Sequence, residues 1–166
     1  MPEILDAEPA SARELVIRRR LAAPPAALWR CWTEAPLLER WFCPTPWRAT
    51  DAVLDVRPGG VSSMVMRGPD GESFPNEGVY LEVVPPSRLV FTDAFRPGWE
   101  IAENPFFVGL IEFEADGAGG TIYTARARHF CDEGCERHKA MGFHDGWGAA
   151  AAQLEEVART LPEAAA

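Results

Sequence analysis

The sharpest hydrophobic pattern in the chain lies near its carboxy-terminal end. Trp147, Ala151, Leu154, Ala158 and Leu161 recur at steps of four and three, which places them on one face of a helix. Gln153, Glu155, Glu156 and Arg159 fall on the opposite, wet side. The beginning of this stretch, from Lys139, is different: Gly142, Gly146 and Gly148 interrupt Met141, Phe143 and Trp147, and each glycine costs a helix about 1 kcal/mol relative to alanine. Two arrangements offset that cost. Either a strand approaches the helix closely, or a hollow lined by Met141, Phe143 and Trp147 is left open.

Upstream, the patterning is mostly that of strands. Glu14 to Leu21, ELVIRRRL, suits a strand with one wet face. Pro24 and Pro25 end it and open a short helix in which Leu28, Trp29, Trp32 and Thr33 share a face, and Pro36 opens a second helical turn through Leu37, Leu38, Trp41 and Phe42. Strands follow at Ala52 to Val56, Val61 to Arg67, Gly78 to Val84, Arg88 to Phe95, Phe106 to Ala115 and Thr121 to Phe130. Arg57-Pro58-Gly59-Gly60, Gly68-Pro69-Asp70-Gly71 and Asp116 to Gly120 read as the turns between them, with a surface loop at Arg96 to Pro105. Strand, two helices, a run of strands and a long helix predict the α+β class, an antiparallel sheet covered on one face.

Composition narrows the picture. A chain of 166 residues, 47% hydrophobic, has the size of one domain with its own core. We expect a loosely ordered arm over 1–13, a single domain over 14–161 and a tail over 162–166. The net charge of −9 opposes binding to nucleic-acid phosphates and anionic membranes, and no apolar run approaches the ~20 residues needed to span a bilayer. Cys31, Cys43, Cys131 and Cys135 are too sparse for a disulfide scaffold and read as reduced thiols of a cytoplasmic protein.

Four phrases, APPAALWRCWTEAPLLERWFCP, LDVRPGG, GVYLEVVPPSRLVFTD and HKAMGFHDGWGAAAAQLEEV, resemble the heat-shock-protein-90 ATPase activator-like (AHSA-type) branch of the START-like, SRPBCC helix-grip superfamily. The resemblance runs from about Glu14 to Leu161. It implies a curved antiparallel sheet of about seven strands gripping the final helix, two small helices after the first strand, and a hydrophobic cavity between them. The superfamily includes lipid carriers, polyketide cyclases and hormone receptors, so the fold leaves the function open. Direct ATPase activation is not carried over, because the co-chaperones that give the branch its name pair such a domain with a second one.

Candidate chemistry centres on that cavity. Its expected liners are Trp41, Phe42, Met64, Met66, Phe91, Phe107, Phe113, Phe143 and Trp147, with Asp93 or His129 orienting a small apolar or aromatic ligand. Asp93 shares a strand face with Phe91 and Phe95 and is either a cavity acid or a solvated strand-end carboxylate. Cys131, Cys135 and His138, with His129 upstream, have zinc-ligand chemistry, set against a reading as buried thiols; we expect no metal and no cofactor. G-x-S-x-G, a P-loop, a dinucleotide fingerprint and H-E-x-x-H are all absent. Three functions therefore stand open: a ligand-binding protein, a cyclase- or hydrolase-like enzyme using Asp93, Tyr80 or a histidine, and a stress-related interaction module engaging a protein or a second copy as a homodimer.

Overall fold

The computed structural model describes residues 1–162, so the expected tail lies, apart from Pro162, outside the described residues. Its strands are β1 (Glu3–Ile4), β2 (Glu14–Leu21), β3 (Arg48–Leu54), β4 (Val61–Arg67), β5 (Ser73–Val84), β6 (Arg88–Thr92), β7 (Phe95–Arg96), β8 (Glu100–Ile101), β9 (Phe107–Ala115) and β10 (Thr121–His129). Helices α1 (Pro25–Thr33) and α2 (Ala35–Leu38) come after β2, and α3 (Asp132–Ala140) and α4 (Phe143–Arg159) close the chain. Eight strands form one antiparallel sheet in the order β1-β2-β10-β9-β6-β5-β4-β3, while β7 and β8 make a separate small hairpin within the expected surface loop. Consecutive strands from β3 to β6, and β9 with β10, pair through short turns, which is the local pairing that turn-rich sequence favours.

Alternation along β2 sends Leu15, Ile17 and Leu21 to the covered face, where α4 packs on β2 and α1. The predicted stripe holds: Ala151, Leu154 and Ala158 are buried, and Trp147 and Leu161 pack at its ends. Small residues Ala150, Ala151 and Ala158 let the helix lie close to its neighbours. This closeness overturns the expected wet position of two polar side chains. Glu155 is buried and accepts the Ala22 N–H at 2.8 Å, and Gln153 donates to the carbonyls of Trp41 and Cys43 at 2.9 and 2.8 Å while accepting the Thr45 N–H. Both satisfy backbone groups that the adjoining loops cannot pair among themselves.

The final helical stretch is also divided. Met141 and Gly142 separate α3 from α4, with Gly142 at φ +91°, a left-handed conformation that costs other residues more. Helix α3 is defined by its own ends: the Cys131 Sγ accepts the Gly134 N–H, Asp132 and Glu133 sit in the first turn, and Arg137, His138 and Lys139 in the last, matching the helix dipole. The leading segment, expected to be loose, contributes the edge strand β1, and Glu14 ties it to the sheet. Its carboxylate is buried and accepts from Arg126, from Arg128 at 2.6 Å and from the Ala10 N–H at 3.0 Å. Burial alone would raise the Glu14 pKa, but Arg128, the Ala10 N–H and Arg126 together hold it below the ordinary value.

Candidate functional site

Four elements, α1, β6, β9 and α4, converge on a path of aromatic rings across the covered face. Helix α1 carries Trp32, whose ring lies 4.9 Å from Trp41, 5.9 Å from Phe42 and 5.7 Å from Phe91. Phe91 on β6 meets Phe107 on β9 at 6.2 Å, and Phe107 meets Trp147 on α4 at 5.9 Å. The glycine opposite Phe91 is what lets its ring lie down: a Cβ on Gly109 would stand 2.4 Å from the Phe91 Cζ. Trp41 is fixed from below by its indole N–H, which donates to the Cys31 carbonyl at 2.9 Å.

Accessibility divides the expected liners into two groups. Phe42, Met66, Phe91, Phe107 and Trp147 are half-buried, packed against the core yet keeping surface free. Trp41, Phe113 and Phe143 are 2%, 4% and 2% exposed, so they offer almost nothing to a ligand and serve as core. Phe113 belongs to a different aromatic group, 6.0 Å from Trp29 and 5.8 Å from Tyr123. Met64 is buried on β4, two strands from Phe91, and Met66 lies two residues further along that strand. The open part of the path is thus Phe42, Phe91, Phe107 and Trp147, with Trp32 as its floor.

Two surface depressions occur elsewhere. One, of about 500 Å³, lies between β1, the start of the loop after β2, the β9–β10 turn and the end of α4, with Arg20, Asp116 and Glu155 among its walls. The other, of about 370 Å³, lies between the leading segment and α3. Neither is lined by the aromatic path.

Polar groups at the path are few and each has a definite state. Trp32 Nε1 is, among the described residues, the fully buried side-chain nitrogen or oxygen without a hydrogen-bond partner, a deficit that costs about 1–3 kcal/mol. The Tyr123 phenol is pushed up by burial, with the Trp32 side chain opposing. Asp93 is a structural carboxylate: its oxygens accept the Phe106 N–H at 2.9 and 3.0 Å and the Phe107 N–H at 3.2 Å, which fixes the start of β9 and hence the Phe107 ring. It lies at the end of β6, as one of the two expected alternatives had it, but partly buried and bound to backbone N–H groups.

At the Trp147 end of the path two histidines meet. His129 Nδ1 lies 2.9 Å from the Arg13 carbonyl and its Nε2 lies 2.8 Å from His138 Nδ1. The His138 ring is enclosed by Phe106 at 4.9 Å, Phe143 at 5.1 Å, Phe107 at 5.5 Å and Trp147 at 5.9 Å. Burial first, then neighbouring His129 and Arg137, push the His138 pKa down to about 4. The cysteines that shared its spacing are engaged otherwise, Cys131 as the α3 cap and Cys135 donating to the Ala12 carbonyl at 3.8 Å. Among the described residues no three metal-ligating side chains gather. Burial also raises the Cys31 and Cys43 thiols to about 11 and the Tyr80 phenol to about 12, which makes all three poor nucleophiles or bases at neutral pH.

Sequence reasoning missed Trp32 and Phe106 as parts of this site, and singled out His138 with His129 only as potential metal ligands. The tryptophan cluster carried a usable signal for the first. Spacing brought the two histidines near each other, but nothing local could have laid Phe106 on both, since that contact depends on how α3 returns to the end of β10.

Comparison with solved structures places the architecture among bacterial helix-grip proteins. Protein NE0264 from Nitrosomonas europaea shares 39% identity with a TM-score of 0.85, over 93% of this chain and 97% of that one. Ms6760 from Mycobacterium smegmatis shares 24% identity with a TM-score of 0.77, over 98% of this chain and 99% of that one. The AHSA1 protein from Silicibacter pomeroyi shares 21% identity with a TM-score of 0.64, over 86% of this chain and 95% of that one. No curated protein matches the chain. No described helix is long and apolar enough to cross a membrane. The family model described as "Activator of Hsp90 ATPase homolog 1-like protein" matches residues 22–159, nearly all of the helix-grip unit, and the chain belongs to that family.

Proposed function

We propose that this protein binds a small apolar or aromatic molecule along the Phe42–Phe91–Phe107–Trp147 path. The observation that carries this function is the partial exposure of four large rings that are otherwise packed into the core: Phe91, Phe107 and Trp147 in successive contact, and Phe42 joined to Phe91 through the buried Trp32. Rings at a purely structural site are expected to be closed over by their neighbours, as Trp41 and Phe143 each are. A two-ring ligand that loses about 200 Å² of apolar surface there gains about 5 kcal/mol, which corresponds to a sub-millimolar dissociation constant. Tighter binding requires a polar contact.

Binding is favoured over turnover. Asp93 and Tyr80, the acid and the phenol considered for proton transfer, are respectively held by backbone N–H groups and shifted far above neutrality. The acidic surface and the buried Cys31 and Cys43 thiols support a cytoplasmic setting. Titration of intrinsic tryptophan fluorescence with a panel of one- to three-ring aromatic compounds tests the proposal, because Trp32 and Trp147 both border the path. A saturable response that is lost in Phe107→Ala, with the fold intact by circular dichroism, supports it; a silent panel counts against it.

A further inference from the structure

The histidine pair has a direction. A backbone carbonyl can only accept a hydrogen bond, so the His129 contact to the Arg13 carbonyl places its proton on Nδ1. With His129 neutral, its Nε2 is then the acceptor, and His138 Nδ1 donates to it. This leaves the lone pair of His138 on Nε2, at the end of the ring away from His129. Among the described residues no hydrogen bond reaches that atom, and although His138 is only 8% exposed its Nε2 is not sealed like Trp32 Nε1, so a sliver of the ring edge stays open. Phe107 and Trp147, the last two rings of the path, flank the same imidazole.

We infer that His138 Nε2 is a hydrogen-bond-accepting anchor for an O–H or N–H group carried by the bound aromatic molecule, with His129 as the positioning residue that holds it in the accepting tautomer. The inference rests on the ligand-binding function proposed above and narrows it to phenols, enols, and aromatic amines or amides. Two features support an acceptor. The aromatic enclosure disfavours the charged imidazolium, which would be a donor. The second is the carbonyl at the far end of the relay, which fixes both protons without needing a charged group. A fully built acceptor left unpaired in an apolar setting discriminates strongly between a ligand that donates and its methylated analogue that does not.

The test uses 2-naphthol and 2-methoxynaphthalene, which share the two rings and differ in the donor. On the wild-type protein 2-naphthol should bind about tenfold tighter, against the greater hydrophobicity of the ether, and on His138→Phe the preference should vanish. Equal affinities on the wild type, or a preference unchanged in His138→Phe, overturn the anchor while leaving the groove intact. Binding of neither probe overturns the groove and the anchor with it. A second measurement needs neither ligand nor variant: ¹⁵N spectra of the wild-type imidazoles at pH 7 should show an unprotonated His138 Nε2 and a protonated His129 Nδ1. A proton on His138 Nε2 overturns the anchor, and a tautomer of His138 that is unchanged in His129→Gln removes His129 from its positioning role.

Discussion

Replacing Gly109 by alanine probes the path at its narrowest support. The new Cβ would lie 2.4 Å from the Phe91 Cζ and 2.6 and 2.9 Å from the two Cε atoms, so the ring must withdraw by about 1 Å to reach ordinary contact. Phe91 cannot retreat into the sheet, because its partner strand β9 is what pushes it. It can move only toward Trp32 and Phe107, across the half-open surface. An off-rotamer ring and local overpacking cost about 1–3 kcal/mol, offset by about 0.5–1 kcal/mol because alanine is less flexible than glycine in the unfolded chain. The net expectation is a destabilisation of about 1 kcal/mol in urea denaturation. Ligand binding should fall further, about tenfold or more, since the displaced ring occupies the site. Adding Phe91→Leu to Gly109→Ala should recover stability in a double-mutant cycle, because the branched side chain clears the Cβ. Unchanged stability together with unchanged probe affinity would refute the packing of Phe91 on Gly109 as the support of the path.

Three other perturbations have defined outcomes. The depressed pKa of His138, about 4 against 6.5, means the unfolded chain binds the extra proton first, so stability is fully present above pH 6.5 and is lost as pH falls toward 4; the shift corresponds to about 3 kcal/mol, reduced by solvent at the open ring edge to roughly 2, and His138→Phe should flatten that part of a stability–pH curve. Glu14→Gln leaves Arg126 and Arg128 without their carboxylate and should cost roughly 2 kcal/mol in denaturation, less than a fully buried pair because the arginine side chains are 24% and 49% exposed. Gly146→Ala meets nothing within 4 Å and should raise thermal stability by about 0.5–1 kcal/mol, whereas Gly142→Ala, at φ +91°, should lower it by about 1 kcal/mol.

Much of this fold was written in local patterns, and its exceptions have physical causes. The apolar stripe of α4, the proline-opened α1 and the turns at residues 57–60, 68–71 and 116–120 depend on neighbours a few residues apart, and all of them appear. Gln153 and Glu155 looked solvated because polarity was the only cue, but the alanines beside them draw the helix close enough for their side chains to satisfy backbone groups of distant loops. The three glycines around the start of α4 proved to do different things: Gly142 breaks the helix, Gly148 makes room for the Arg19 guanidinium, and Gly146 faces open space. At the candidate site, periodicity identified aromatic residues on the covered face but could not tell core rings such as Phe113 from half-open ones such as Phe91. That difference is set by Gly109 on the neighbouring strand and by which part of the sheet α4 covers. Spacing grouped His129 with His138 as potential zinc ligands, but the direct contact between their rings, from the end of β10 across a helix cap to α3, has no sequence signature.

Small aromatic molecules should occupy the half-open line of rings and not the two outer depressions. An ¹H–¹³C NMR titration of the uniformly ¹³C-labelled protein with 2-naphthol distinguishes these places. Saturable shifts are expected to concentrate on Phe42, Phe91, Phe107 and Trp147, leaving unaffected Phe74 on β5 and Trp99 between β7 and β8, two exposed rings outside the path. Saturable shifts that spare those four rings and fall instead on residues around Arg20 and Asp116, or around Lys139 and His144, would rule out the aromatic path as the binding site.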